Sequence, residues 1–170
     1  MTRVMIIGNA GGGKSALSRV IARVHQLPVY ELDQIQWNPG WVAAPAEELC
    51  HKHAGIISED RWLIDGYGPW PLVIDRIAAS DTIVFVDLPL RIHIWWATKR
   101  QIKSLVMGHS DGPKDCPMWP VTFRLYRMIW NLHQYARPKL YRALQNRPQQ
   151  TRLIHIGSVR ALNAFARDPF

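Results

Sequence analysis

The sequence predicts an α/β fold in which a parallel sheet of five strands lies between two layers of helices. Three observations predict it. The apolar run at residues 4–7 leads into a glycine-rich turn, after which apolar residues recur at helical spacing. The apolar runs at 62–64 and 82–86 each end at an aspartate, as is typical of parallel strands buried on both faces. With 170 residues and 48% hydrophobic composition, we expect one domain over residues 1–170.

The first turn matches the pattern G-x-x-x-x-G-K-[ST], which is a P-loop. Glycines let such a loop turn its backbone N–H groups toward phosphates, beside a helix N-terminus that favours anions. Lys14 is expected to reach the β- and γ-phosphate oxygens, and the Ser15 hydroxyl to ligate Mg²⁺. ATP and Mg²⁺ are therefore the predicted cofactors. The predicted nucleotide-binding residues are Gly8, Asn9, Ala10, Gly11, Gly12, Gly13, Lys14, Ser15 and Ala16.

The remaining elements follow in order. A second strand at 27–32 ends at Asp33, and residues 34–60 form an insertion with a helix at about 45–57. Insertions after sheet strands often shape a substrate pocket, and Trp37 and Trp41 are expected to wall it. Residues 104–120 are predicted to form a lid, because the run from 108 to 120 is rich in glycine and proline. The other predicted elements are strands at 62–66, 82–87 and 152–156, a helix after Pro89, a helical stripe from 121 to 135 and a final helix.

Charge is divided unevenly along the chain. Residues 1–90 carry 7 Lys/Arg and 10 Asp/Glu, whereas residues 91–170 carry 14 and 3, so the net charge of +8 comes from the second half. A basic half suits a polyphosphate ligand and would equally suit nucleic acid. No apolar run approaches the roughly 20 residues of a membrane span, and two cysteines are too few for a disulfide framework. We therefore expect a cytoplasmic protein with reduced thiols and no membrane partner.

Catalytic candidates follow from the chemistry of phosphoryl transfer, which needs positive groups around the moving phosphoryl. Arginine serves best because its guanidinium binds phosphate through two N–H groups. Arg100 and Arg137 rank above Arg124 and Arg127 among the arginines around the predicted lid. Asp33 follows a strand, where open α/β sheets bind ligands, and the alternative is an ordinary turn aspartate.

Several segments together carry a resemblance to known proteins. They are the P-loop, residues 32–33, the Trp-Asn-Pro-Gly-Trp run at 37–41, residues 62–66 and 81–87, and the tryptophan-rich helix before residues 137–138. The chain resembles the adenylate-kinase-like nucleoside monophosphate kinases, and more closely the small DNA topology modulation protein family.

This resemblance implies a P-loop NTPase fold with strand order 2-3-1-4-5, which places Asp65 and Asp87 on either side of the P-loop strand. Either could be the Mg²⁺-associated carboxylate, and similarity favours Asp65. By the same resemblance, Arg100 lies at the position of a lid-hinge arginine that contacts the transferring phosphate. Trp96 lies at the position of a residue that packs against the adenine ring. Asp33 is similar in position to an acceptor-binding or Mg²⁺-side carboxylate.

One segment departs from the family pattern. The Asp-Gly-Phe-Pro-Arg segment of the monophosphate kinases is here residues 65–69, which contain no arginine. The predicted function is ATP-dependent transfer of the γ-phosphoryl group to a small acceptor, with nucleotides and nucleosides as candidates. The alternative is an ATP-binding regulator that contacts DNA or RNA through the basic half.

Overall fold

The main sheet contains five parallel strands that carry the P-loop at their carboxyl edge. The computed structural model describes residues 1–107, 112–117 and 119–169. The strands are β1 (Arg3–Gly8), β2 (Val29–Glu31), β3 (Trp62–Asp65), β4 (Thr82–Val86) and β5 (Arg152–Ile156). Their order is β2-β3-β1-β4-β5, all parallel. The predicted fold class is confirmed. Two further short strands form a separate hairpin and do not belong to this sheet.

Helices and turns connect these strands. The helices are α1 (Lys14–His25), α2 (Leu32–Gln36), α3 (Ala46–Ser58), α4 (Trp70–Ala79), α5 (Leu90–Met107), α6 (Thr122–Asn131), α7 (Arg137–Gln145) and α8 (Val159–Arg167). A π-helical turn, Leu132–Ala136, joins α6 to α7. Between α2 and α3, the strands Trp37–Asn38 and Val42–Ala43 form an antiparallel hairpin around the turn Pro39–Trp41.

The core has two halves, one on each face of the sheet. Val4 and Ile6 of β1 pack with residues of α1 and α8, whereas Met5 and Ile7 pack with residues of α4 and α7. All four side chains are fully buried. Because side chains alternate along a strand, a central strand buried on both faces must be apolar throughout. Among the described residues, no helix has the length and apolar character needed to cross a membrane.

Two predicted elements differ in detail. The second strand ends at Glu31 because Leu32 turns into a small apolar cluster with Leu49 and Leu72, so Asp33 lies in the first turn of α2. In the predicted lid, residues 104–107 belong to α5, while 108–111 and 118 lie outside the described residues. Residues 112–117 are described, and they contact the hairpin.

Candidate functional site

The P-loop connects β1 to α1 through a backbone that has no room for side chains. Gly11 and Gly13 have φ values of 67° and 76°, in the left-handed region that favours glycine. A β-carbon on Gly8 would lie 2.1 Å from the carbonyl oxygen of Val86, and one on Gly11 would lie 2.7 Å from that of His93. The glycines therefore serve both the backbone turn and the close packing of the loop.

Two side chains hold the loop in this conformation. The Asn9 side chain accepts a hydrogen bond from the Ala10 N–H and donates one to the Ile129 carbonyl in α6, both at 2.8 Å. His93 Nδ1 lies 2.9 Å from the Ala10 carbonyl oxygen. A carbonyl only accepts, so Nδ1 carries the proton. Burial lowers the pKa of His93 and so favours the neutral ring, whereas the hydrogen bond to Ala10 acts in the opposite direction.

His93 was not identified from the sequence. It lies on α5, 83 positions beyond Ala10, and no local pattern marks its contact with the loop.

Lys14, Ser15 and Asp65 meet at the floor of the site. Lys14 Nζ donates to the Asn9 carbonyl at 2.9 Å, and Ser15 Oγ donates to Asp65 Oδ2 at 2.7 Å. Asp65 is only 4% exposed, and its Oδ1 is buried with no hydrogen-bond partner among the described residues. Burial raises the pKa of Asp65, while the Lys14 charge and the Ser15 hydrogen bond oppose that rise.

This set of oxygens fits a magnesium ion. Mg²⁺ prefers oxygen ligands and is commonly held by one or two protein groups together with substrate phosphates. The Ser15 hydroxyl and the Asp65 carboxylate supply such oxygens, and the unpartnered Oδ1 of Asp65 can serve the ion directly or through its bound water.

Asp87 has a different environment. Arg137 Nε and Nη2 donate to its two oxygens at 2.5 and 2.8 Å, and His155 Nε2 lies 3.1 Å from Oδ2. Its carboxylate therefore already has a bidentate cationic partner. Both Asp87 oxygens thus accept hydrogen bonds, and the expectation that Asp65 is the carboxylate on the metal side stays a prediction.

The same ion pair bears on the predicted catalytic role of Arg137. Its guanidinium lines a small cavity of about 20 Å³ beneath the P-loop and is absent from the residues that line the main cleft. Contact between Arg137 and a phosphoryl group stays a prediction, and it would require the pair with Asp87 to open.

The Asp87 pair predicts a pH-dependent contribution to stability. Burial alone would raise the pKa of Asp87, but hydrogen bonds from Arg137 and His155 outweigh it and hold the pKa below its usual range. A carboxyl group whose pKa is lower in the folded state stabilises the fold above its unfolded pKa, and this contribution disappears as the pH falls through the folded pKa. As the pH falls below about 5, the free energy of unfolding should therefore decrease more steeply for the native protein than for Asp87→Asn.

Chemical denaturation at a series of pH values measures this difference. Asp60→Asn is a matched control because the Asp60 side chain is fully exposed in its pair with Arg3. Parallel pH profiles for the native protein and Asp87→Asn would contradict the prediction.

Above the P-loop lies a cleft of about 660 Å³. From α5, Trp96, Arg100 and Lys103 line it, and Arg124 lines it from α6. Trp96 also packs on the loop, since a β-carbon on Gly13 would lie 3.1 Å from its ring. The structure thus brings Arg100 and Trp96 to the cleft, and their roles toward a phosphate and an adenine ring stay predictions.

A second group of cleft-lining residues, which we call the acceptor wall, belongs to β2, α2, the hairpin and the loop after β3. Its side chains are Glu31, Asp33, Gln34, Gln36, Trp37, Trp41 and Tyr67. The Trp37 and Trp41 rings pack edge to face with centroids 5.7 Å apart, and the Arg124 guanidinium lies 5.5 Å from the Trp37 ring centroid. Trp37 and Trp41 therefore stand where the sequence predicts a pocket wall.

Residues 112–117 cover this wall by hydrogen bonding to α2 and the hairpin. The Gln34 amide donates to the Gly112 carbonyl at 3.4 Å and accepts from the Lys114 N–H at 3.2 Å. Three further bonds join Gly40 N to Asp115 O at 3.0 Å, Trp41 Nε1 to Pro117 O at 2.8 Å and Cys116 Sγ to Asn38 O at 3.3 Å. Residues 112–117 of the predicted lid are thus attached to the insertion.

Comparison with known proteins identifies the fold. No family model and no curated protein matches the chain. Among solved structures, a candidate kinase from Chloroflexus aurantiacus shares 15% identity over 98% of this chain and 96% of its own, with a TM-score of 0.50. A gluconokinase from Sinorhizobium meliloti shares 13% identity over 98% and 87%, with a TM-score of 0.53. The chain has the fold of P-loop kinases.

A third similar structure is an uncharacterized protein from Eubacterium ventriosum, with 12% identity over 99% of this chain and 98% of its own and a TM-score of 0.50. At these identities the likeness concerns the fold alone. The more specific resemblance to DNA topology modulation proteins finds no support in these comparisons.

Proposed function

We propose that this P-loop kinase fold transfers the γ-phosphoryl group of MgATP to a hydroxyl group of a small acceptor. The carrying observation is that one cleft contains the P-loop lysine, the Ser15–Asp65 pair and Arg100, facing a wall of polar and aromatic side chains. This arrangement separates a phosphate-binding half from a half suited to a second substrate.

The P-loop residues would bind and orient the nucleotide. In the structure, Lys14 Nζ contacts the Asn9 carbonyl, and we propose that it exchanges this contact for the β- and γ-phosphate oxygens. Residues 8–16 would surround the phosphates with backbone N–H groups. Bound Mg²⁺ would supply charge stabilisation to those phosphates, held on the protein side by Ser15 and Asp65.

Groups elsewhere in the cleft would stabilise the transferring phosphoryl group and orient the acceptor. Arg100 is proposed to neutralise the charge that develops on the transferring phosphoryl group, because it reaches the cleft from α5. Asp33 is proposed to accept a hydrogen bond from the attacking hydroxyl and so orient it. Arg137 remains a candidate for the same charge if ligand binding separates it from Asp87.

Asp33→Asn is expected to lower acceptor phosphorylation by roughly 100-fold while leaving slow ATP hydrolysis within about threefold of the native rate. Water needs no acceptor wall, so only transfer depends on Asp33. ADP release with and without acceptor measures both activities. Asp60→Asn, an exposed aspartate outside the cleft, is the matched control. Equal loss of both activities would instead move Asp33 to the metal site.

The test of the function itself is a panel of nucleosides, nucleotides and small hydroxylated metabolites incubated with MgATP, with phosphorylated product detected by mass spectrometry. Hits are repeated with Asp65→Asn, which should damage transfer to every acceptor because it removes charge on the metal side. A panel without product would contradict the proposal.

The basic half supports one competing function, a nucleotide-binding regulator that contacts DNA or RNA. Helices α5, α6 and α7 contain no aspartate or glutamate. Binding through phosphate contacts should weaken steeply between about 50 and 200 mM salt. Tight, salt-sensitive binding to nucleic acid without any phosphorylated small product would favour the regulator.

A further inference from the structure

We infer that the acceptor is an uncharged, ring-containing hydroxyl compound and not a phosphomonoester. This inference rests on the proposed function and narrows its substrate class. It depends on how charged groups are distributed between the two sides of the cleft.

Carboxylates are concentrated on the acceptor wall. Glu31 and Asp33 line it, and Asp65 lies at its base. A phosphomonoester beside Glu31 and Asp33 would meet repulsion from two negative charges. An acceptor hydroxyl, in contrast, can donate a hydrogen bond to a carboxylate.

The loop after β3 supplies no cation to offset this charge. Its cleft-lining residues are Gly66, Tyr67 and Gly68. The nearest arginine along the chain, Arg76, is fully buried behind the loop. Its guanidinium donates to the carbonyl oxygens of Gly66 at 2.8 Å and Leu72 at 3.1 Å, and also to that of Tyr67.

Arg76 therefore stabilises the loop from behind and is not available to an acceptor phosphate. The structure thus adds to the absence of an arginine from residues 65–69, because Arg76, which binds this loop, is fully buried and does not line the cleft.

The cations of the cleft are placed mainly on the nucleotide side. Lys14 belongs to the P-loop, while Arg100 and Lys103 extend from α5. Two arginines approach the acceptor wall, and both contact groups of that wall. Arg19 lies 4.0 Å from the Glu31 carboxylate, and Arg124 lies over the Trp37 ring.

The remaining surface of the acceptor wall suits a ring. Trp37 and Trp41 present two indoles at an interplanar angle of 69°, so a ring placed against one face meets the edge of the other. The amides of Gln34 and Gln36 add neutral donors and acceptors. Nucleosides and cyclic sugars combine such a ring with hydroxyl groups.

Matched substrate pairs test the inference. Nucleosides are compared with their 5′-monophosphates, and neutral sugars with the corresponding sugar phosphates, by kcat/KM for MgATP-dependent phosphorylation. In any pair that reacts, kcat/KM should be at least about tenfold higher for the uncharged member than for the phosphorylated one. A tenfold difference is the size expected from one repulsive contact between like charges. Glu31→Gln should reduce this preference by about threefold, because it removes a charge and keeps the shape of the side chain.

Glu59→Gln is the matched control, since Glu59 contacts Tyr30 on the exposed surface and lies outside the cleft. It should keep the native preference. Preference for the phosphorylated member, or no phosphorylation of any uncharged member by a protein that binds MgATP, would overturn the inference. MgATP binding is measured separately by calorimetry with the native protein and Lys14→Ala. Absence of MgATP binding would overturn the proposed function and this inference together.

Discussion

Lys14→Ala is expected to lower MgATP turnover roughly 100- to 1000-fold, the usual cost of removing one preorganised donor from a transition state. Lys14 lines the cleft and donates a 2.9 Å hydrogen bond to the Asn9 carbonyl. The buried Asp65 loses the Lys14 charge in this variant, but it keeps the hydrogen bond from the Ser15 hydroxyl. The fold should therefore survive. ADP release under single-turnover conditions measures the effect, and thermal unfolding measures stability.

Lys52→Ala is the matched control for this variant. Lys52 lies on α3, exposed, in an ion pair with Glu48 at 2.6 Å, and it should change neither turnover nor stability appreciably. A folded Lys14→Ala protein with native turnover would contradict both the assignment of the P-loop and the proposed reaction.

Arg76→Ala is expected to produce the largest loss of stability, about 3–5 kcal/mol, because breaking a buried polar network leaves its partners without compensation. The guanidinium is fully buried and holds the Gly66 and Tyr67 carbonyl oxygens. Burial lowers the pKa of Arg76 to about 10, so the group is still a cation at neutral pH. Chemical denaturation gives the change in the free energy of unfolding.

Two further variants separate the possible causes. Arg76→Met fills much of the same volume without hydrogen bonds, so stability intermediate between the native protein and Arg76→Ala would assign part of the loss to the cavity. Arg23→Ala removes an arginine from the exposed end of α1 and should change stability by less than about 0.5 kcal/mol. A loss below about 1 kcal/mol in Arg76→Ala would mean that the loop holds its conformation without the guanidinium.

The competition for Arg137 shows where prediction from sequence reaches its limit. Its position near the predicted lid made it a candidate for the phosphoryl group, but in the structure Asp87 binds it through two hydrogen bonds. The two residues are 50 positions apart, and no local pattern pairs them. Arg100 differs from Arg137, because its position on α5 places it in the lining of the cleft.

The sequence by itself determined the P-loop, the strand that precedes it and the strands that end at Asp65 and near Asp87. These features are local, since glycine spacing specifies the turn and continuous apolar runs specify strands buried on both faces. Tertiary structure alone decided that His93 and Asn9 hold the loop, that Arg76 faces away from the cleft and that residues 112–117 cover the acceptor wall. These contacts join residues distant along the chain, and they depend on how whole helices pack against the sheet, which no short-range pattern of residues encodes.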